Sequence, residues 1–273
     1  MSRGLGDVYK RQDDDNLKWR ILCPYRYEGY LKYRNTFTKQ NLHKPQEFKD
    51  DADEIESVNS RIVKQQSMLQ VTFRSRKYKE WLYFLMDWLL TNADEHLQID
   101  DSYLVSSLDK WIYDYYLGLQ NRWAMNKRDI LNAGTDTPIF MFSFIDYLYW
   151  LASLLPQSSI GDIREISNLG PFQFKYFNSV EHHLPQSYEQ TDGVNLDSIG
   201  NLCLISRRKN SSLNDKSPTE KAKDIKGLQP KRFVMYSITR EKHKWGKKEI
   251  EEHQQDIVKL LAQANNLLKI ENV

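Results

Sequence analysis

Cysteine is nearly absent from this chain: Cys23 and Cys203 are the only two among 273 residues. Two distant thiols make no disulfide framework, and without a Cys-x-x-Cys pair there is no ligand set for a structural zinc. This usage fits a reducing compartment, so the expected localisation is cytoplasmic. No P-loop is present either. A secretory signal is also missing. Residues 1–12, MSRGLGDVYKRQ, have no apolar segment and no cleavage site, and read as a non-native leader, a translated adapter or fusion scar set aside from the fold. Long hydrophobic runs are scarce. The most apolar stretch, 138–155, PIFMFSFIDYLYWLASLL, carries Asp146, has no second of its kind, and is short of the ~20 residues a membrane span needs. It reads as a buried central helix, and no membrane partner is expected. An excess of one charge is lacking overall, with 39 basic against 37 acidic side chains.

That balance hides an asymmetry. Between Arg207 and Lys248 fourteen basic residues face four acidic ones. Most charge runs are solvated surface, but a basic segment beside a hydrolytic motif suits a polyanion, and DNA is the expected partner. Aromatic residues make up 12%, more consistent with a packed core than with disorder.

Periodicity supplies the framework. Apolar residues at three- and four-residue spacing predict helices over Arg76–Asn92 and Ser102–Lys127, and a more polar one over Ile55–Met68. Residues 13–53 are mixed and polar, and Pro24, Gly29 and Pro45 interrupt any long helix there; Tyr25, Tyr27, Tyr30 and Tyr33 are expected to pack on the following helices rather than to stack on bases. Beyond 156, Phe172–His183 and Ile199–Ser206 read as two strands, and Gln229–Ile238 as a strand or connector. Lys247–Leu268 reads as a closing helix. His243 and His253 read as surface residues. Ser217-Pro218-Thr219-Glu220 has the form of a capping box with proline at N1, which opens a helix.

The chemistry concentrates between Phe177 and Lys221. Glu181-His182 ends the first extended run, Pro185 closes it, Asn201 opens the second, Asn210 follows a basic turn, and the capping box comes last. Cleaving a phosphodiester needs a water stripped of its proton and a cation on the phosphate oxygens. An imidazole with a pKa near ~6.5 accepts such a proton at neutral pH. A carboxylate and an amide oxygen are hard ligands suited to Mg²⁺, which keeps several of its waters. His182 is therefore the expected general base, Glu181 and Asn210 the expected ligands of Mg²⁺ or Mn²⁺, and Asn201 the residue that fixes the loop or the imidazole. Lys216, Lys221, Arg207 and Arg208 are candidate phosphate contacts, although Lys221 reads equally as a surface lysine. His183 is an alternative ligand, and strand alternation lets only one of the two histidines reach the site.

The string Glu181-His182-x-x-Pro185-Gln186, then Gly200-Asn201-Leu202-x-Leu204-Ile205, then Asn210 and Lys221, resembles the HNH branch of the His-Me finger nucleases. It is most similar to the C-terminal nuclease part of GmrSD-type modification-dependent restriction endonucleases. His183 departs from the aliphatic residue usual at that position. The resemblance implies an α+β fold: a mainly helical domain over 13–156, then a ββα-metal, HNH-like nuclease module over 157–273 with a basic C-terminal region and a C-terminal helix. It further implies a metal-dependent DNA endonuclease of a type IV restriction system acting on modified phage DNA. A ParB-like, NTP-dependent domain is expected upstream or as a separate subunit, since its motif does not occur in this chain. Alternatives are a catalytically silent nucleic-acid-binding module of the same fold and an RNA-directed nuclease.

Overall fold

The computed structural model describes residues 22–27, 30–35, 58–73, 79–93, 100–164, 172–187, 193–206, 216–225 and 227–270, with the single residues 166, 169 and 213. Residues 1–12, Asn210, Arg207 and Arg208 lie outside these. The first element is an antiparallel hairpin, β1 (Leu22–Tyr27) against β2 (Tyr30–Asn35), with Cys23 opposite Arg34 and Pro24 opposite Tyr33. The sequence excluded a long helix there, and the hairpin agrees: Pro24 and Gly29 interrupt a helix, while a proline is tolerated on the edge strand of a two-stranded sheet.

Four helices follow close to their expected positions: α1 (Val58–Thr72), α2 (Glu80–Asn92), α3 (Asp101–Met125) and α4 (Ile139–Ser153). Helix α3 starts where Asp100 accepts hydrogen bonds from the backbone N–H groups of Ser102 and Tyr103 at 2.9 and 3.0 Å, satisfying two donors that a helix start leaves unpaired. Every residue of α4 from Phe140 to Ala152 is buried. A helix apolar on all sides has no face to give to water, so it becomes the centre of the core. Among the described residues no helix is long and apolar enough to cross a membrane.

Asp146 on α4 earns its burial by capping. Its Oδ1 accepts from the backbone N–H of Lys231 at 2.7 Å, at the start of a later helix, and burial pushes its carboxyl up to about 7. Asp109 of α3 plays a similar part, accepting from Arg61 at 2.5 Å and from Tyr147 at 2.9 Å. That network ties α1, α3 and α4 together around a carboxyl raised by burial to about 6.

A short helix, α5 (Gln157–Ile160), leads to β3 (Ser179–His182) and β4 (Leu202–Ile205), which pair antiparallel. The first strand is shorter than expected. Residues 172–178 lie against the helices instead, where the Phe172 carbonyl accepts from Lys64 and the Gln173 carbonyl from Gln229. Ile199–Asn201 is one 3₁₀ turn, because the Ser198 hydroxyl accepts from Gly200 N–H at 3.0 Å and curls the chain before the strand.

The capping box is present as expected. Ser217 Oγ accepts from Glu220 N–H and Glu220 Oε2 accepts from Ser217 N–H, opening α6 (Pro218–Lys221). The stretch expected as a strand or connector is helix α7 (Pro230–Lys242). Proline at its first position and the Asp146 carboxylate on its N-terminus start it. Burial of Phe233, Tyr236, and even Lys231 and Arg232, then overrides a polar-looking sequence. The closing helix divides at Gln263 into α8 (Lys247–Ala262) and α9 (Ala264–Leu268). One hydrophobic core runs through residues on both sides of 156. Helix α4 packs on α1, α7, α8, α9 and β4.

Candidate active site

In the β3–β4 pair, Glu181 stands opposite Cys203 and His182 opposite Leu202. Neighbouring residues of a strand point to opposite faces, and these two have different surroundings. Glu181 is 8% exposed. Its Oε1 accepts a hydrogen bond from the ammonium of Lys221 at 2.7 Å, and the same ammonium donates to the carbonyls of His182 at 2.7 Å and His183 at 3.3 Å. The last residue of α6 thus reaches back to the end of β3 and locks strand to helix. Lys221 was a candidate phosphate contact or surface lysine. The structure corrects both: its side chain is 1% exposed and its donors are committed within the protein.

The His182 side chain retains 12% exposure, and its Nε2 lies 3.0 Å from Oδ1 of Asp197. Asp197 sits just before the 3₁₀ turn, in a segment held by the loop between α3 and α4. Gly134 N–H donates to the Asp197 carbonyl at 3.1 Å, and Asn195 donates to Asn132 Oδ1 at 2.7 Å. Asp197 was not among the residues singled out from sequence. The available signal was its place four residues before Asn201 in the run Asp197-Ser198-Ile199-Gly200-Asn201.

His183 turns into the core. It is 1% exposed, its Nε2 is 2.8 Å from the Thr239 hydroxyl, and its ring stacks on Tyr236 with centroids 4.9 Å apart and meets Trp245 edge-on. Burial holds its pKa well below the usual histidine value, with Lys221 and Arg232 adding to the shift. The imidazole named as an alternative ligand is thus committed to Thr239 and to an aromatic cluster in the core, on the face away from His182.

Asn201 is fully buried and clamps the turn after β3. Its Oδ1 accepts from Leu184 N–H at 2.8 Å and from Trp245 Nε1 at 3.1 Å, while its Nδ2 donates to the carbonyls of Leu184 and Leu196. The amide therefore fixes the segment that follows the two histidines, one of its two anticipated roles. His253, read as a surface residue, is instead completely buried. Its Nδ1 donates to the Gly200 carbonyl at 2.7 Å, and burial drives its pKa well below the usual value. Helix α8 buries one face against the 3₁₀ turn, and a polar neighbourhood in sequence does not reveal that face.

The structure thus joins Glu181 to Lys221, His182 to Asp197, and Asn201 to the backbone between them, while Lys216 is exposed. Among the described residues no group of three or more His, Cys, Asp and Glu side chains could hold a metal ion. Mg²⁺ needs only one or two carboxylates beside its waters and a substrate phosphate. A Glu181 carboxylate whose side chain keeps 11% exposure matches that demand in kind, though it would share its charge with Lys221.

Neither a curated protein nor a solved structure matches the chain. A family does: residues 144–260, from within α4 to the last turn of α8, match the model described as GmrSD restriction endonucleases, C-terminal domain. The match takes in β3, β4, the capped helix and the helices that brace them, and over these residues the chain is similar to the C-terminal domains of the GmrSD restriction endonucleases.

Proposed function

We propose that this chain hydrolyses phosphodiester bonds in DNA, with His182 as general base, as the nuclease part of a type IV system directed at modified DNA. The observation that carries this reading is the partly exposed His182 imidazole, held by a carboxylate at the end of β3 within the stretch matched to an endonuclease family. In the step, a water oxygen attacks phosphorus, its proton passes to the His182 imidazole, and the bond to the leaving oxygen breaks. Glu181 and Asn210 would hold a divalent cation, Mg²⁺ or Mn²⁺, which when bound supplies positive charge to the phosphate and leaving oxygens. Asn201 keeps the turn after His182 from shifting. Exposed Lys216 is suited to a phosphate of the backbone, as are Arg207 and Arg208. Recognition of the modified base and any use of NTP fall to a ParB-like partner, upstream or separate.

One observation favours a second reading, a DNA-binding module that does not cut. The Lys221 ammonium on Glu181 already neutralises the carboxylate that a cation would use. A plasmid assay separates the two. Supercoiled DNA nicked by the wild-type chain in Mg²⁺ or Mn²⁺, intact in EDTA and intact with His182→Ala of unchanged circular dichroism, supports hydrolysis. Retarded but uncut plasmid under all conditions supports the binding module, and undiminished cutting by H182A removes His182 from the mechanism. RNA in place of plasmid tests the substrate class.

A further inference from the structure

We propose that Asp197 is the positioning residue for His182, fixing the imidazole so that Nδ1 is the free proton acceptor, and that Gly134 makes room for it. The catalytic consequence rests on the nuclease reading above; the placement of the proton does not.

A neutral imidazole carries one N–H and one lone pair. An ionised carboxylate only accepts, so Asp197 Oδ1 at 3.0 Å from Nε2 requires the proton on Nε2 and leaves the lone pair on Nδ1. The Asp197 carboxylate is itself seated. Gly134 stands at φ +58°, and a Cβ added to it would lie 2.7 Å from both Cγ and Oδ1 of Asp197, closer than any side chain tolerates. The carboxylate fills the space that the missing side chain leaves, and the Gly134 N–H holds the Asp197 carbonyl at 3.1 Å. Asn132 continues the clamp, accepting from Asn195 at 2.7 Å and from Gln254 at 3.3 Å. A loop outside the region matched to the family therefore sets a residue that sets the base. Stability does not account for the pair. The Asp197 side chain is 54% exposed, and ion pairs so open contribute only ~0–1 kcal/mol.

The test uses the full chain with ¹⁵N-labelled histidine, reading the His182 tautomer from its ring nitrogens at mildly alkaline pH, beside steady-state plasmid nicking in Mn²⁺. The wild type is expected to carry the proton on Nε2. Asp197→Asn presents an amide that can donate, so the Nδ1–H form should appear. The kcat should fall on the order of 10–100-fold, while KM stays within about twofold and the thermal midpoint is unchanged. Gly134→Ala should shift both readouts in the same direction, whereas Asp136→Asn on the same loop, whose partner is Arg128, should move neither. An unchanged tautomer in both D197N and G134A would overturn the proposal, as would D197N turnover within about twofold of wild type. If the wild type nicks no DNA, the nuclease reading fails by itself, and the tautomer alone decides whether Asp197 orients His182.

Discussion

Replacing Lys221 by methionine is the sharpest perturbation of the strand–helix lock. Methionine keeps most of the stem and removes the ammonium that bonds Glu181 Oε1 and the carbonyls of His182 and His183. Breaking a buried ion pair by removing one partner costs about 3–5 kcal/mol, because the other charge is left without compensation. The lower end applies here, since the Glu181 side chain retains 11% exposure and water can reach it. A loss of about 3 kcal/mol at a urea slope near ~3 kcal/mol/M, the upper range for small proteins, lowers the unfolding midpoint by about 1 M. The double variant Glu181→Gln with Lys221→Met removes the orphaned charge and should recover much of that loss. The single variant K221M also bears on the proposed cation. With Lys221 gone, the Glu181 carboxylate is open to metal, so Mn²⁺ should raise the thermal midpoint of K221M more than that of wild type. A K221M midpoint within about 0.3 M of wild type at an unchanged slope would refute the reasoning, and a double variant no more stable than K221M would do the same.

Two further outcomes follow from the same packing. Gly200→Ala puts a methyl against the Ile250 carbonyl of α8, and forced overpacking of this kind costs about 1–3 kcal/mol; urea unfolding with a stability equal to wild type would count against the close approach. His253 is held neutral by burial with its pKa well below the ordinary 6.5, so below pH 6.5 the unfolded chain takes up a proton the folded chain refuses and stability falls with pH. The slope approaches about 1.4 kcal/mol per pH unit. His183 acts in the same direction, while Asp146 at about 7 and Asp109 at about 6 oppose it, holding protons that the unfolded chain has released. Subtraction isolates the His253 contribution: the advantage of wild type over His253→Phe should narrow by about that slope between pH 6 and 5, and parallel stability curves would contradict it.

Much of the framework was legible in order along the chain. The apolar spacing of Trp81, Leu85 and Trp88, or of Leu104, Leu108 and Ile112, states a helix because one face must meet the core, and those residues are buried. The mostly apolar run at 138–155 announced its own centrality, and Ser217 to Glu220 announced a helix start because the cap is a local contact. Helix α7 was not legible. Its Lys231 and Arg232 belong to the basic run, yet both are buried; an Asp146 eighty-five positions away caps the helix, and a strand carbonyl takes the lysine.

The site divides along the same line. Sequence alone fixed the identity and order of Glu181, His182 and Asn201, since a short motif on a hairpin is carried by neighbours in the chain. Tertiary structure alone decided their partners: Lys221 for the acid, Asp197 for the imidazole, Leu184 and Trp245 for the amide, and the core for His183 and His253. Partners of that sort come from separate elements. They are specified by which faces the core draws together, and spacing along a chain holds no record of that.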